Sequence, residues 1–147
     1  KVSFTYDTLG RKLTMTDPDS GQWRYAYDYV GNLRYEDDPK TSQHVQYCYD
    51  ALNRRTRKFV VAANAGAMLN CQLDGDANYE YDGAGANSLG RATAVIDDLT
   101  GSVTFVNFDV RGRVGTENRE VVVAVSGNTT ARTASYSYTY DAADHVS

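Results

Sequence analysis

The stretch Phe4-Thr5-Tyr6-Asp7-Thr8-Leu9-Gly10-Arg11 is written five more times along the chain in variant form. Its aromatic-Asp step returns in Tyr25-Ala26-Tyr27-Asp28, Tyr47-Cys48-Tyr49-Asp50, Tyr79-Glu80-Tyr81-Asp82, Val106-Asn107-Phe108-Asp109 and Tyr138-Thr139-Tyr140-Asp141. In every copy a large apolar side chain stands two residues before the aromatic, the period that puts both on one face of a β-strand. Three residues after each Asp comes a residue that tolerates positive φ: Gly10, Gly31, Asn53, Gly85, Gly112 and Asp144. Asp at the first position of a type I turn accepts hydrogen bonds from the amides ahead of it. Gly or Asn at the fourth supplies the left-handed step that returns the chain antiparallel, so each copy predicts a hairpin.

Beyond the turn the chain resumes extended, as in Lys12-Leu13-Thr14-Met15-Thr16 and Leu33-Arg34-Tyr35, until Asp17-Pro18-Asp19-Ser20-Gly21 or Asp37-Asp38-Pro39 breaks it again. One unit is therefore two strands and two turns. Successive aromatics lie 21, 22, 32, 27 and 32 residues apart, which places insertions between Phe59 and Ala77, at Gly83 to Ser88, and from Arg119 to Arg132. In the fifth unit Val103 and Phe105 fall out of phase with Phe108, which predicts a bulge. The turns fall near residues 7–10, 28–31, 50–53, 82–90, 109–112 and 141–144, and residues 1–147 read as a single segment of six units. A lone hairpin is marginal in water and must pair with its neighbours. The expected fold is all-β, consecutive antiparallel hairpins in a curved, extended sheet. The tyrosine at one place in each unit is expected to stack into a ladder that forms the core, its hydroxyls reaching water or a partner.

Composition agrees with that reading. Among 147 residues stand 15 Asp against 4 Glu and 11 Arg against 4 Lys, with 12 Tyr and 12 Gly, a choice that favours turns and pleated surface over helix. Hydrophobic residues at 41% and charged residues at 23% are those of a globular chain. A net charge of −4 offers no basic field for nucleic acid or an anionic membrane. The longest apolar runs, Phe59 to Ala63 and Val121 to Val125, are far short of a bilayer span.

The repeated phrase resembles the YD repeat of the RHS family, whose pattern runs YxYDxxGR followed by an apolar position. Tyr6-Asp7-Thr8-Leu9-Gly10-Arg11 matches it in full, and Phe108-Asp109-Val110-Arg111-Gly112-Arg113 matches with Phe for Tyr. Tyr81 to Arg91 resembles the longer variant, in which Leu89-Gly90-Arg91 follows an inserted loop. Asn53 and Asp144 replace the turn glycine and Asn32 the following Arg. The resemblance implies a hollow β-shell, which encloses a C-terminal toxin in bacterial RHS proteins and insecticidal toxin complexes and serves adhesion in animal teneurins. Six units are too few to close such a shell, so the chain is read as a segment of a larger wall. That implies export to a secreted or cell-surface place, neighbouring YD repeats and an enclosed toxin as partners, and edge-to-edge self-association at uncovered strands.

The aspartates of the repeat are each accounted for by a turn position, and catalysis by carboxylates would need a convergent pair. Asp74, Asp76 and Asn78 begin like a calcium loop, but Tyr79 stands where its glycine belongs and Gly85 where its Glu belongs, so the run is read as a turn. Asp97-Asp98 is read as a strand-end turn. His44 and His145 stand in no nucleophile motif, and Asp17-Pro18 and Asp38-Pro39 lack the surroundings of a self-cleavage site. Cys48 must point to the face opposite Tyr47 and Tyr49. It has no CxxC partner, and it and Cys71 are read as free thiols, with a bridge between them, as in an exported protein, the alternative left open, because geometry for it is not supplied by sequence. Asn128-Thr129-Thr130 is a sequon, meaningful only in a eukaryotic secretory setting. No catalytic, cofactor or metal constellation emerges. The function expected is a non-enzymatic wall module that encloses or scaffolds a cargo. The alternative is an adhesion or carbohydrate-binding module using exposed aromatics such as Trp23 and Tyr25.

Overall fold

In the computed structural model, residues 1–39, 43–62, 70–97, 100–125 and 128–147 are described, with backbone alone at 123–125 and 128–129. Parts of the loops after Pro39 and Ala62, and Asp98 of the Asp97-Asp98 turn, lie outside these residues, as do the side chains of Asn128 and Thr129 in the sequon. Every element among the described residues is a β-strand, and every pairing recorded between them is antiparallel.

The chain forms two compact units, residues 1–75 and 76–147. The first holds β1 (Ser3–Tyr6), β2 (Lys12–Asp17), β3 (Gly21–Tyr27), β4 (Leu33–Asp38), β5 (Gln43–Tyr49) and β6 (Arg55–Ala62), paired in chain order. The second holds β7 (Ala77–Tyr81), β8 (Ala92–Asp97), β9 (Gly101–Phe108), β10 (Val114–Val125) and β11 (Asn128–Ser137), again in chain order. The Asp17-Pro18-Asp19-Ser20-Gly21 phrase closes its hairpin where expected: Asp17 Oδ1 accepts from the Asp19 amide at 2.8 Å and the Ser20 amide at 3.2 Å, and Gly21 takes φ 86°.

Each of the first five aromatic-Asp steps also carries a bulge. Thr5 faces Thr14 but Tyr6 faces Lys12, and the same one-residue slip occurs at Ala26/Tyr27, Cys48/Tyr49 and Glu80/Tyr81. The fifth unit slips twice, at Val114/Thr116 and Thr116/Glu117, which is the bulge expected from its broken phase. A bulge adds local twist, so the strand is re-aimed just before each turn.

The core departs from expectation. In β5 the buried side chains are His44, Gln46 and Cys48, while Val45, Tyr47 and Tyr49 on the other face are half-buried. Phe59 and Val61, opposite Gln46 and His44, join Cys48 in a buried cluster against which Cys71 packs. In the first unit the tyrosine ladder is thus the partly wet face and not the core, and Tyr6 remains 58% exposed. The physical reason is coverage. Cys71 returns over the Cys48 face, whereas the tyrosine rings of this unit are shielded by side chains from their own sheet: Lys12 Nζ lies 4.1 Å from the Tyr25 ring centre and the Arg55 guanidinium 4.5 Å from that of Tyr47. In the second unit Phe108 is buried, together with Ala94 and the polar Asn78, Ser88, Thr93 and Glu117.

The cysteines are also corrected. Cys48 and Cys71 form a disulfide with a Cα–Cα separation of 5.7 Å across 23 residues of chain. Cys48 does point away from the tyrosines, as alternation requires. The return of the Cys71 segment over that face supplies the geometry that spacing alone does not.

Candidate functional site

The repeated aspartates organise the site. Asp7 Oδ1 accepts hydrogen bonds from the Leu9 amide at 2.9 Å and the Arg11 amide at 2.8 Å, and Oδ2 accepts from Arg11 Nε at 2.6 Å. The Asp7 amide donates to the Arg11 carbonyl at 2.9 Å and the Gly10 amide to the Asp7 carbonyl at 3.1 Å, which closes the turn. One carboxylate therefore satisfies two backbone donors and one side chain while Gly10, at φ 77°, reverses the chain.

The same set recurs at Asp28, Asp50, Asp109 and Asp141, with Asn32, Arg54, Arg113 and His145 in the place of Arg11. Asn53 at φ 60° and Asp144 at φ 66° stand in for glycine, as residue types that tolerate this region. The carboxyls of Asp7, Asp109 and Asp141 are held below the usual range, chiefly by the backbone amides of Arg11, Arg113 and His145. At Asp28 and Asp50 burial pushes upward, and the amides and side chains of Asn32 and Arg54 outweigh it. Carboxylates so engaged accept hydrogen bonds and have no proton to give.

The fourth turn differs from the sequence reading in detail. Gly85 does not supply the left-handed step. Asp82 at φ 57°, Asn87 at φ 56° and Gly90 at φ 77° share it across the inserted loop. The Asp82 amide still donates to the Arg91 carbonyl at 3.1 Å, and Asp82 Oδ1 accepts from the Gly90 amide at 2.6 Å. Gly85 is small for another reason: a Cβ there would overlap the Val106 carbonyl oxygen, because the loop lies against β9. The Phe108 amide donates to the Ala86 carbonyl at 3.2 Å and Asn87 Nδ2 to the Phe108 carbonyl at 2.9 Å, which pins the loop there.

Four of the turns are then laced to the one that follows. The Tyr27 hydroxyl donates to the Lys12 carbonyl at 3.0 Å, Tyr49 to Leu33 at 2.8 Å and Tyr140 to Val114 at 2.8 Å. In all three the acceptor is the fifth residue after the preceding Asp. The fourth residue makes a second tie. The Arg11 guanidinium lies 4.9 Å from the Tyr27 ring centre and donates to the Asp28 carbonyl at 3.1 Å. Arg113 lies 4.3 Å from the Tyr140 ring centre and bonds Asp144 at 2.5 Å. Arg91 stacks on Phe108 at 5.7 Å and packs where a Gly112 Cβ would stand. Asn32, too short to stack, donates to Asn53 Oδ1 at 3.0 Å.

These ties were missed by the sequence reading. The signal was present as the Arg that follows the glycine at Arg11, Arg91 and Arg113, whose cross-repeat role no spacing rule reports. The other candidates do not assemble into a site. Asn78 is buried in β7 opposite Ile96, and Asp74 and Asp76 are exposed in the loop before it. Among the described residues no three His, Cys, Asp or Glu side chains come together as a metal site. His44 is buried with its ring 4.6 Å from that of Tyr35, and His145 serves its turn.

No protein-family model matches the chain, nor does any curated protein. Solved structures do. A crystal structure of TcdB2-TccC3 is similar over 99% of this chain with a TM-score of 0.79 and 13% identity, and one of TcdB2-TccC3-Cdc42 over 99% with a TM-score of 0.78 and 13% identity. A Photorhabdus luminescens Tc holotoxin pore is similar over 99% with a TM-score of 0.79, also at 13% identity. The fold is therefore that of a segment of these toxin-complex chains. The chain spans only 7–8% of their length.

Proposed function

We propose that this chain is a length of wall in an RHS-type β-shell, a non-enzymatic module whose work is to enclose or scaffold a cargo such as a toxin. The observation that carries the reading is the lacing. Side chains that could do chemistry are spent on joining one hairpin to the next: aspartates on turn amides, arginines and tyrosine hydroxyls on the following or preceding unit. A sheet built this way presents continuous hydrogen-bonded backbone with few unpaired groups for a protease to engage. Its fold is shared with the toxin complexes, which supports the same reading. Export from a bacterial cell and partnership with further YD repeats follow from it. No helix among the described residues is long and apolar enough to cross a membrane.

The carbohydrate-binding alternative draws less support. The tyrosine rings it would use are stacked against Lys12, Arg55, Arg11 and Arg113 of the chain itself. The experiment is imaging of the full-length gene product by electron cryo-microscopy, with protease treatment before and after denaturation. A closed shell with protected polypeptide inside is expected. An open blade, with every peptide equally cleavable in the native protein, would overturn the reading.

A further inference from the structure

The inserted loop of the fourth turn, between Asp82 and Arg91, has spent its acceptors and kept its donors. The Ser88 hydroxyl is shared between the carbonyls of Gly83 and Gly85. The Phe108 amide donates to the Ala86 carbonyl at 3.2 Å and the Arg91 amide to that of Ser88 at 3.0 Å. Among the described residues no hydrogen bond leaves the amides of Gly83, Gly85, Asn87 or Leu89. Turn segments with left-handed steps, here Asn87 at φ 56° and Gly90 at φ 77°, form anion-binding concavities from such N–H groups.

Arg91 stands at the end of this loop and lines with it an open pocket of about 470 Å³. It differs from its counterparts in the other turns. Arg11 pairs with Asp7 and donates to the Asp28 carbonyl, and Arg113 pairs with Asp109 and Asp144. Arg91 instead packs against Gly112, which has no side chain to accept a hydrogen bond, while Asp82 Oδ1 takes the Gly90 amide at 2.6 Å. The Arg91 guanidinium stacks on Phe108 at 5.7 Å, its Nε is buried without a partner, and among the described residues it makes no hydrogen bond or ion pair. Beside it in the pocket Leu89 is 80% and Val110 90% exposed.

We propose that this pocket binds the free carboxylate at the end of a polypeptide whose last side chain is apolar. Arg91 and the loop amides hold the carboxylate, and the side chain lies on Leu89 and Val110. A guanidinium meets a carboxylate fork to fork, and a nest of backbone N–H groups suits the C-terminus of a chain. A phosphate would bring a second charge to one arginine and leave both apolar side chains uncovered. A fatty acid would need a deep apolar cavity, and Leu89 and Val110 are the only large apolar side chains in this lining. The site goes beyond the wall reading and does not depend on it.

The intact chain, isotope-labelled, is titrated with a capped glycine-glycine-leucine tripeptide as the free acid, with the same peptide as its C-terminal amide, with the triglycine acid and with inorganic phosphate. The NMR resonances of the Gly83, Gly85 and Leu89 amides are followed. Saturable movement with the leucine acid is expected, about tenfold weaker with the amide and about tenfold weaker with the triglycine acid. Arg91→Lys keeps the charge and loses the fork, and is expected to weaken binding of the leucine acid about tenfold. If that variant unfolds, the comparison of acid with amide on the unaltered chain decides. Absence of saturation, an equal response to acid and amide, or a triglycine acid that binds as tightly as the leucine acid would overturn the proposal. Phosphate binding as tightly as the leucine acid would overturn it in favour of a general anion site.

Discussion

Removing the Cys48–Cys71 bridge tests the corrected core most directly. The bridge closes a loop of 23 residues of sequence separation. Chain-entropy arithmetic for a loop of that length gives about 3.4 kcal/mol of stabilisation by restriction of the unfolded chain. The bridge also holds Cys71 against the cluster of Cys48, Phe59 and Val61, so its loss loosens that packing. For cooperative melting of a chain this size, 3.4 kcal/mol corresponds to about 10 °C in Tm. The assay is calorimetry on the unaltered chain with and without dithiothreitol, beside a Cys48→Ala/Cys71→Ala double variant. Alanine is chosen because Cys48 is 1% exposed and a serine hydroxyl there would be buried without a designed partner. The reduced protein and the double variant should melt together, well below the oxidised protein, and the variant should ignore reductant. Two titratable thiols in the unreduced protein, or a double variant that melts with the oxidised form, would refute the bridge and the account of the core built on it.

Three further predictions follow from the turns and their ties. Tyr49→Phe deletes the hydroxyl bond to the Leu33 carbonyl at 2.8 Å and should cost about 1 kcal/mol in urea unfolding. The five turn carboxyls are lowered in the folded chain, so their stabilisation is complete above the ordinary carboxyl pKa of about 4 and is lost as pH falls through their lowered values. The urea midpoint should therefore be insensitive to these groups from neutral pH down to about 5 and fall below it; in Asp109→Asn that acid fall should be shallower. Gly85→Ala should destabilise by about 3 kcal/mol through collision with β9, whereas Gly90→Ala, with open space around its Cβ, should cost only the about 1 kcal/mol of a left-handed alanine. Equal costs at the two glycines would contradict the assignment of their roles.

The strands of the first five copies and five of the six turns were legible because both signals are local, whereas Tyr138 and Tyr140, expected on a strand, lie past the end of β11, where Tyr140 makes an isolated bridge to Val146. Period-two aromatics and Asp-x-x-Gly spacing lie within a few residues and need no knowledge of the partner strand. The fourth turn was located but its glycine misassigned, since Gly85 and Gly90 both follow Asp82 and only the approach of β9 tells a close-contact glycine from a left-handed one. Burial was inverted for the same kind of reason. Alternation in β5 separates Tyr47 and Tyr49 from Gln46 and Cys48, yet which of the two faces receives a second layer depends on where the Cys71 segment returns, 23 residues away. Hydropathy favoured the tyrosines, and the disulfide-tethered segment covered the other side.

The lacing explains why length varies so unevenly along the chain. A tie from the fourth and fifth residues after one Asp to the ring of the next unit works only if the strands leaving both turns stay in fixed register. Five turns around Asp7, Asp28, Asp50, Asp109 and Asp141 keep one length, while the connections at the other ends of the hairpins run from the compact Asp17 turn to the long segment after Ala62. The exception obeys the same rule. Eight residues intervene between Asp82 and Arg91, but the Asp82 amide meets the Arg91 carbonyl at 3.1 Å much as Asp7 meets Arg11 at 2.9 Å, so the base of the loop is that of a short turn. Arg91 then takes the place of the fourth residue and stacks on Phe108. What the repeat requires is therefore the closed pair at the base and a donor at its end long enough to reach the neighbour. Chain inserted above that pair leaves the register of the following strand untouched, and so a laced sheet can carry loops at its tied rim without coming apart.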